Sequence, residues 1–80
     1  MIRISKHTRL GREEIFNNAS EYFGESGTGL TEAYRNRCTI SFEGTGGYLS
    51  VNINEEDADR SVEIVSKEFE YWAKRFLEKI

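Results

Sequence analysis

The sequence predicts an α+β fold of the order β-α-β-β-β-β-α, in which one curved antiparallel sheet of about five strands carries two helices on one face. Several short segments alternate apolar and polar residues, which is typical of strands with one buried face. Two other segments repeat apolar residues at the helical period. Glycine-rich turns separate the alternating segments and indicate hairpins. A chain of 80 residues can fill only one hydrophobic core, so we expect a single domain over residues 1–80.

The first predicted strand lies within residues 1–10, where apolar and polar side chains alternate. Lys6 interrupts the apolar row. This indicates that the middle of the strand lies near a sheet edge, or that the lysine stem reaches outward past the core. His7 belongs to the outward row, so we expect its side chain to face solvent.

The first predicted helix follows over residues 12–23, whose apolar positions lie on one stripe. Gly11 is the expected N-cap. Gly24 is expected to end the helix in a left-handed conformation, which costs glycine little. The glycine-rich segment at residues 24–29 follows a helix and leads into a strand, whereas phosphate-binding loops precede a helix. We therefore predict a plain connection there.

Three alternating segments then predict an antiparallel meander. They are residues 30–34, 38–43 and 48–53. In the second of them, Cys38 shares its face with Ile40 and Phe42. This alternation predicts a buried cysteine that acts as a small apolar residue.

Residues 54–80 leave two interpretations open. One is a single long helix, because an apolar stripe continues from Ala58 to Ile80. The other is a polar turn, a strand at residues 60–66 that is rich in valine and isoleucine, and a shorter helix over residues 69–80. We favour the second, because the long helix would span about 39 Å and overhang strands of about 30 Å.

Charge and composition exclude several classes of protein. The net charge is −3, from 11 Lys and Arg against 14 Asp and Glu, and the isoelectric point is near 5.2. A nucleic-acid binder normally needs a basic surface, so nucleic acid is not an expected partner. No apolar stretch reaches the roughly 18 residues of a membrane span. A single cysteine and no apolar leader segment favour the cytoplasm.

The residue types needed for catalysis or metal binding are scarce. His7 and Cys38 are the only histidine and cysteine, so a structural zinc site cannot be assembled within the chain. A nucleophilic cysteine would need His7 as its base. The acidic residues at positions 55–59 lack the glycine and the closing glutamate of a calcium loop, and indicate a solvated turn. We therefore expect no metal and no cofactor, and the sequence provides no set of catalytic residues.

Four aromatic residues are candidates for binding a ligand or a partner. Tyr34 and Tyr48 fall on the polar side of their predicted strands, and Tyr71 lies off the apolar stripe of the last helix. Trp72 follows Tyr71 and belongs to the inward stripe together with Phe76. Exposed aromatic side chains are frequent at binding surfaces, so we select Tyr34, Tyr48, Tyr71 and Trp72.

The order of the elements resembles a pared-down helix-grip domain of the birch-allergen, START and polyketide-cyclase superfamily, in which a curved antiparallel sheet wraps around a long final helix. The segments that suggest this are Ile-Arg-Ile-Ser-Lys at residues 2–6, Gly-Arg-Glu-Glu-Ile-Phe at residues 11–16, Val-Glu-Ile-Val at residues 62–65 and the closing helix at residues 72–80.

The resemblance implies a non-enzymatic binding module that holds a small apolar or amphipathic ligand between the sheet and the C-terminal helix. The alternative hypothesis is a protein-interaction or homodimerisation module without a small-molecule ligand. Under either hypothesis we expect a monomer or a weak homodimer, and a small apolar ligand or a protein as the partner.

Overall fold

The fold was analysed in a computed structural model, which describes residues 1–25, 27–56 and 59–80. It contains two helices and a five-stranded antiparallel sheet, as predicted. The elements are β1 (Ile2–His7), α1 (Arg12–Phe23), β2 (Thr31–Arg35), β3 (Thr39–Gly44), β4 (Gly47–Glu56), β5 (Asp59–Lys67) and α2 (Glu70–Lys79). The predicted α+β fold and its element order are confirmed. Asp57 and Ala58 of the predicted polar turn, and Ser26 of the predicted connection, lie outside the described residues.

The strands are arranged in the order β1-β5-β4-β3-β2. Strands β2 to β5 form the predicted meander, and β1 is added on the outer side of β5, so that β1 and β2 are the two edge strands. Strand β1 pairs with β5 without a register shift, from Ile2 opposite Ser66 to His7 opposite Ser61. Strand β2 is less regular, because its pairing with β3 shifts between Glu32 and Tyr34.

The favoured strand and short final helix are confirmed, because Asp59–Lys67 forms a strand that pairs with β1 on one side and β4 on the other. The polar turn expected at residues 54–59 is shorter than predicted, because β4 continues to Glu56. Val62 and Ile64 are both fully buried in β5. Branched side chains of this kind are stiff at χ1 and pack well on a pleated sheet, which favours the strand over the helix.

The core lies between the helices and one face of the sheet. Its centre is a group of three rings, in which the Phe23 centroid is 5.6 Å from that of Phe42 and 5.1 Å from that of Phe76. The buried apolar residues are Ile15, Phe16, Ala19, Phe23, Leu30, Ile40, Phe42, Leu49, Val51, Ile53, Val62, Ile64, Ala73, Phe76 and Leu77. The two helices and the three central strands all contribute, so the helices and the sheet share one core.

Ser66 is a polar residue buried in this interior. It lies on the helix-facing side of β5, between Leu49 of β4 and Ile2 of β1. Its side chain is fully buried, and its Oγ has no hydrogen-bond partner among the described residues. A buried hydroxyl without a partner costs about 1–3 kcal/mol, so this position lowers the stability of the core.

The prediction that Cys38 is buried is wrong. The alternation holds for Ile40 and Phe42, which are buried, but β3 begins only at Thr39. Cys38 lies in the preceding turn and is exposed, and its amide N–H donates to Oδ1 of Asn36 at 2.9 Å. The side chain of Asn36 closes the turn one residue later than the alternation suggested.

Gly24 ends α1 as predicted, but not in the expected conformation. Its backbone is extended, with φ of −72°, and its N–H donates to the carbonyl of Ser20 at 2.9 Å. The need for glycine is steric, because a Cβ at this position would lie 2.4 Å from that carbonyl oxygen. Gly29 of this connection is left-handed, with φ of 92°.

No helix within the described ranges is long and apolar enough to cross a membrane.

Candidate binding site

The four aromatic residues selected from the sequence fall on two sides of the molecule. Tyr34 and Tyr48 lie on the open face of the sheet, away from the helices, and their strands are separated by β3. Tyr34 is opposite Ser41, whereas Tyr48 is opposite Glu43. The structure therefore does not bring these two tyrosines together in one site.

Tyr71 and Trp72 are brought together on α2, where Tyr22 of α1 joins them. The ring centroids of Tyr71 and Trp72 are 5.1 Å apart, and those of Trp72 and Tyr22 are 6.2 Å apart. Trp72 was expected to face inward, but its side chain is 40% exposed, because it lies at the margin where α2 meets α1. We call Tyr22, Tyr71 and Trp72 the aromatic surface.

A cleft lies on the other side of α2, between this helix and β1. Its volume is about 320 Å³. We call it the β1–α2 cleft, and it is lined by Ile4, Ser5, Lys6, Lys74, Leu77 and Glu78. Ile4 is half-buried and Leu77 is buried, so the cleft has an apolar floor with charged groups around it. It lies at the margin of the space between the sheet and the C-terminal helix.

Lys6 links β1 to the last turn of α2. Its side chain is on the helix-facing side of β1, opposite Val62, and its Nζ donates to the carbonyl of Leu77 at 2.9 Å. The ammonium group thus meets the last turn of α2, where the helix dipole favours a positive charge. The expectation that this lysine reaches past the core is confirmed, since its side chain is exposed.

The outer edge of β1 carries free backbone groups beside the cleft. The Thr8 N–H donates to the Arg60 carbonyl at 3.0 Å, which places the even-numbered residues of β1 in the hydrogen-bonded pairs with β5. The N–H and C=O groups of Arg3, Ser5 and His7 therefore point outward, where no other strand lies among the described residues.

The side chains of β1 include cations and no acid. Arg3 lies 3.8 Å from Glu63, and Nδ1 of His7 lies 3.1 Å from Asp59. The side chains of Arg3 and His7 are 72% and 74% exposed, so these surface contacts are weak and do not hold the two side chains in place. The edge thus presents positive charge although the whole chain is acidic.

A third feature is an ion cluster at the start of α1, which lines a second surface depression. The Glu55 carboxylate accepts hydrogen bonds from Arg12 through Oε1 and from Arg60 through Oε2, the latter at 2.7 Å. Arg60 also donates to the carbonyl of Leu10 at 2.7 Å. The cluster therefore joins the segment before α1 to strands β4 and β5. Glu55 was predicted only as part of a solvated turn, but it lies in β4. Nothing in the sequence near Glu55 indicates that Arg12, 43 positions away, is its partner.

These hydrogen bonds lower the pKa of Glu55. The bond from Arg12 has the largest effect, followed by that from Arg60, and partial desolvation opposes both. The same contact raises the pKa of Arg12. Because the pKa of Glu55 is lower in the folded chain, its contribution to stability is complete above the ordinary value of about 4.3 and is lost as the pH falls through the folded value.

The cluster gives a pH-dependent prediction. We expect Glu55→Gln to lower the urea midpoint at neutral pH, because the amide cannot carry the charge that Arg12 and Arg60 face. The difference from wild type should stay constant down to about pH 5 and shrink below about pH 4. Glu43→Gln removes an exposed carboxylate on β3 and is the matched control, for which a small change is expected. An equal loss for Glu55→Gln at every pH would contradict the assignment.

Comparison of the chain with models of known protein families and with curated proteins finds no match. Within the part of the chain that the structure describes, no group of three or more histidine, cysteine, aspartate or glutamate side chains is placed to hold a metal ion.

Proposed function

We propose that the protein is an interaction module that binds a segment of a partner protein in the β1–α2 cleft. The observation that carries the proposal is the position of the apolar floor, Ile4 and Leu77, directly beside the free edge of β1. An apolar floor next to unpaired backbone groups is the arrangement that domains use to bind extended segments of other proteins.

The size and charge of the cleft support a partner segment. About 320 Å³ is at the lower end of the volumes of small-molecule sites, and it suits one or two side chains of a longer segment. Lys6 and Lys74 lie at its margin and Glu78 opposes them, while Arg75 lies 3.8 Å from Glu78. This balance favours a segment with negative charge.

The test is selection from a displayed library of random peptides of about ten residues, followed by amide NMR of the isotope-labelled protein with the enriched peptides. We expect shift changes concentrated at Ile4, Lys74 and Leu77. Lys74→Glu should weaken binding about tenfold, whereas Arg37→Glu, the same charge reversal at an exposed residue in the turn before β3, should not. If no peptide is enriched, or if the shifts fall on the aromatic surface, the proposal is wrong.

A small amphipathic ligand is the second candidate, because the helix-grip resemblance implies one between the sheet and the last helix. The lysine ammonium groups above an apolar floor support it, since this combination suits a carboxylate with an apolar tail. Titration with decanoate tests it on the same amide signals. Saturable shifts at Ile4 and Leu77 with decanoate, and no enriched peptide, would favour this candidate over the first.

We also propose a cytoplasmic location. Cys38 is exposed and is the single cysteine of the chain, and exposed unpaired thiols are typical of reducing compartments.

A further inference from the structure

We propose that the partner segment is an acidic, extended strand that pairs with the free edge of β1 and becomes the sixth strand of the sheet. The inference rests on the proposed function, and it names the conformation and the chemistry of the partner.

The two edge strands of the sheet differ in regularity. Strand β1 is regular along its whole length, so the outward groups of Arg3, Ser5 and His7 form an evenly spaced row. The opposite edge strand, β2, has a register shift between Glu32 and Tyr34. Such irregularities interrupt a ladder and are a common protection of sheet edges. Strand β1 is therefore the better template.

The side chains of an added strand would meet two different environments. Successive residues of a strand point to opposite faces. One set would enter the β1–α2 cleft and contact Ile4 and Leu77, and the other set would lie on the open face beside Arg3 and His7. The segment should therefore alternate apolar residues, which suit the cleft, with acidic residues, which suit the Arg3 guanidinium and can accept a hydrogen bond from the His7 ring.

The charged side chains along β1 are all positive. Strand β1 carries the cations Arg3 and Lys6 without an acidic residue, and Lys74 adds a further cation at the cleft. Opposite charges across neighbouring strands stabilise pairing, and complementary charge accelerates encounter. An acidic segment is favoured on both counts.

The same charges argue against a second copy as the occupant. Pairing β1 with β1 of another molecule would bring Arg3 and Lys6 of both strands close to one another, and like charges across strands destabilise pairing. Lysine on an edge strand commonly prevents such self-association. A partner of opposite charge removes this repulsion.

The experiment uses a blocked peptide of about seven residues that alternates glutamate and valine, titrated into the isotope-labelled protein. We expect saturable amide shifts at Arg3, Ser5 and His7 and at the cleft. A peptide that alternates lysine and valine should bind at least about tenfold more weakly. Equal affinity for the two peptides would overturn the acidic specificity.

Backbone pairing is tested with N-methylated peptides. Two versions of the glutamate–valine peptide carry methyl groups on alternate amides, in complementary patterns. Only one edge of an added strand faces β1, so one pattern should lose at least about tenfold in affinity while the other retains it. Equal affinities for the two patterns would show that no strand is added.

A variant of the protein tests the same contact from the other side. Ser5→Pro removes an outward N–H without removing a hydrogen bond between β1 and β5, and edge strands tolerate proline. We expect Ser5→Pro to bind about tenfold more weakly than Ser5→Ala, which also lacks the hydroxyl but keeps the N–H. If Ser5→Pro does not fold, the pair of methylated peptides decides the question alone.

The outcomes separate this inference from the proposed function. If both methylated peptides bind with equal affinity and shift the amide signals of the cleft, the interaction module is supported and the added strand is contradicted. Binding of decanoate without any peptide binding would contradict both the interaction module and the added strand. A concentration-dependent dimer in light scattering, with shifts along β1, would identify a second copy as the occupant and overturn the inference.

Discussion

Replacing Phe23 by alanine is expected to lower the free energy of unfolding by about 3–5 kcal/mol, the usual cost of removing a buried phenylalanine. Phe23 is fully buried, and its ring is the centre of the group formed with Phe42 and Phe76. Domains of this size have only about 5–10 kcal/mol in total. The variant should therefore be partly unfolded without denaturant, or close to it.

The measurement is urea unfolding followed by far-ultraviolet circular dichroism. Tyr34→Ala is the control, because it removes an aromatic ring that is 54% exposed, and it should change the stability by no more than about 0.5 kcal/mol. If Phe23→Ala cost as little as Tyr34→Ala, the position of the core between helices and sheet would be wrong.

Gly47→Ala is expected to have the second largest effect, a loss of about 3 kcal/mol. A Cβ at Gly47 would lie 2.1 Å from the carbonyl oxygen of Lys67 and 2.7 Å from Cβ of Glu68. The first of these is a backbone atom that cannot rotate away. Glu68 already has φ of 79°, a costly conformation for a residue with a side chain. The start of β4 and the connection from β5 to α2 would have to separate.

Gly11→Ala is the matched control for Gly47→Ala. A Cβ at Gly11 would meet no atom within 4 Å, so only its role as N-cap is affected, at a cost of about 1 kcal/mol or less. Thermal unfolding of both variants at one pH gives the comparison. Equal melting temperatures for the two would show that the close approach at Gly47 is relieved without cost.

The regular elements were predictable from sequence because they depend on local periodicity. The strand at β5 illustrates this, since Val62 and Ile64 alternate with polar residues and their branched side chains favour a sheet. The short final helix was favoured because a single long helix would be longer than the strands beside it. Lys6 in the apolar row of β1 correctly indicated an edge, because a charged stem is tolerated only where it can reach solvent.

The failures concern the margins of elements and contacts between distant residues. Trp72 has the spacing of an inward residue, yet its exposure depends on how far α1 extends beside it. Cys38 has the correct alternation but lies before the first residue of β3. The β1–α2 cleft depends on the crossing of α2 over β1, where Lys6 contacts Leu77 across 71 positions of the chain, and no pattern in the sequence specifies that crossing.

The position of β1 has a consequence for how the sheet is completed. Ile2 pairs with Ser66, 64 positions later, whereas the other ladders join strands that are neighbours along the chain. Closing so long a loop costs more conformational entropy than closing a hairpin, so β1 depends on the rest of the sheet being formed. A ligand that binds only the docked β1 raises the equilibrium constant for docking by a factor of one plus the ratio of its free concentration to its Kd. Occupancy of the edge and attachment of the N-terminal strand are therefore thermodynamically linked, and each stabilises the other.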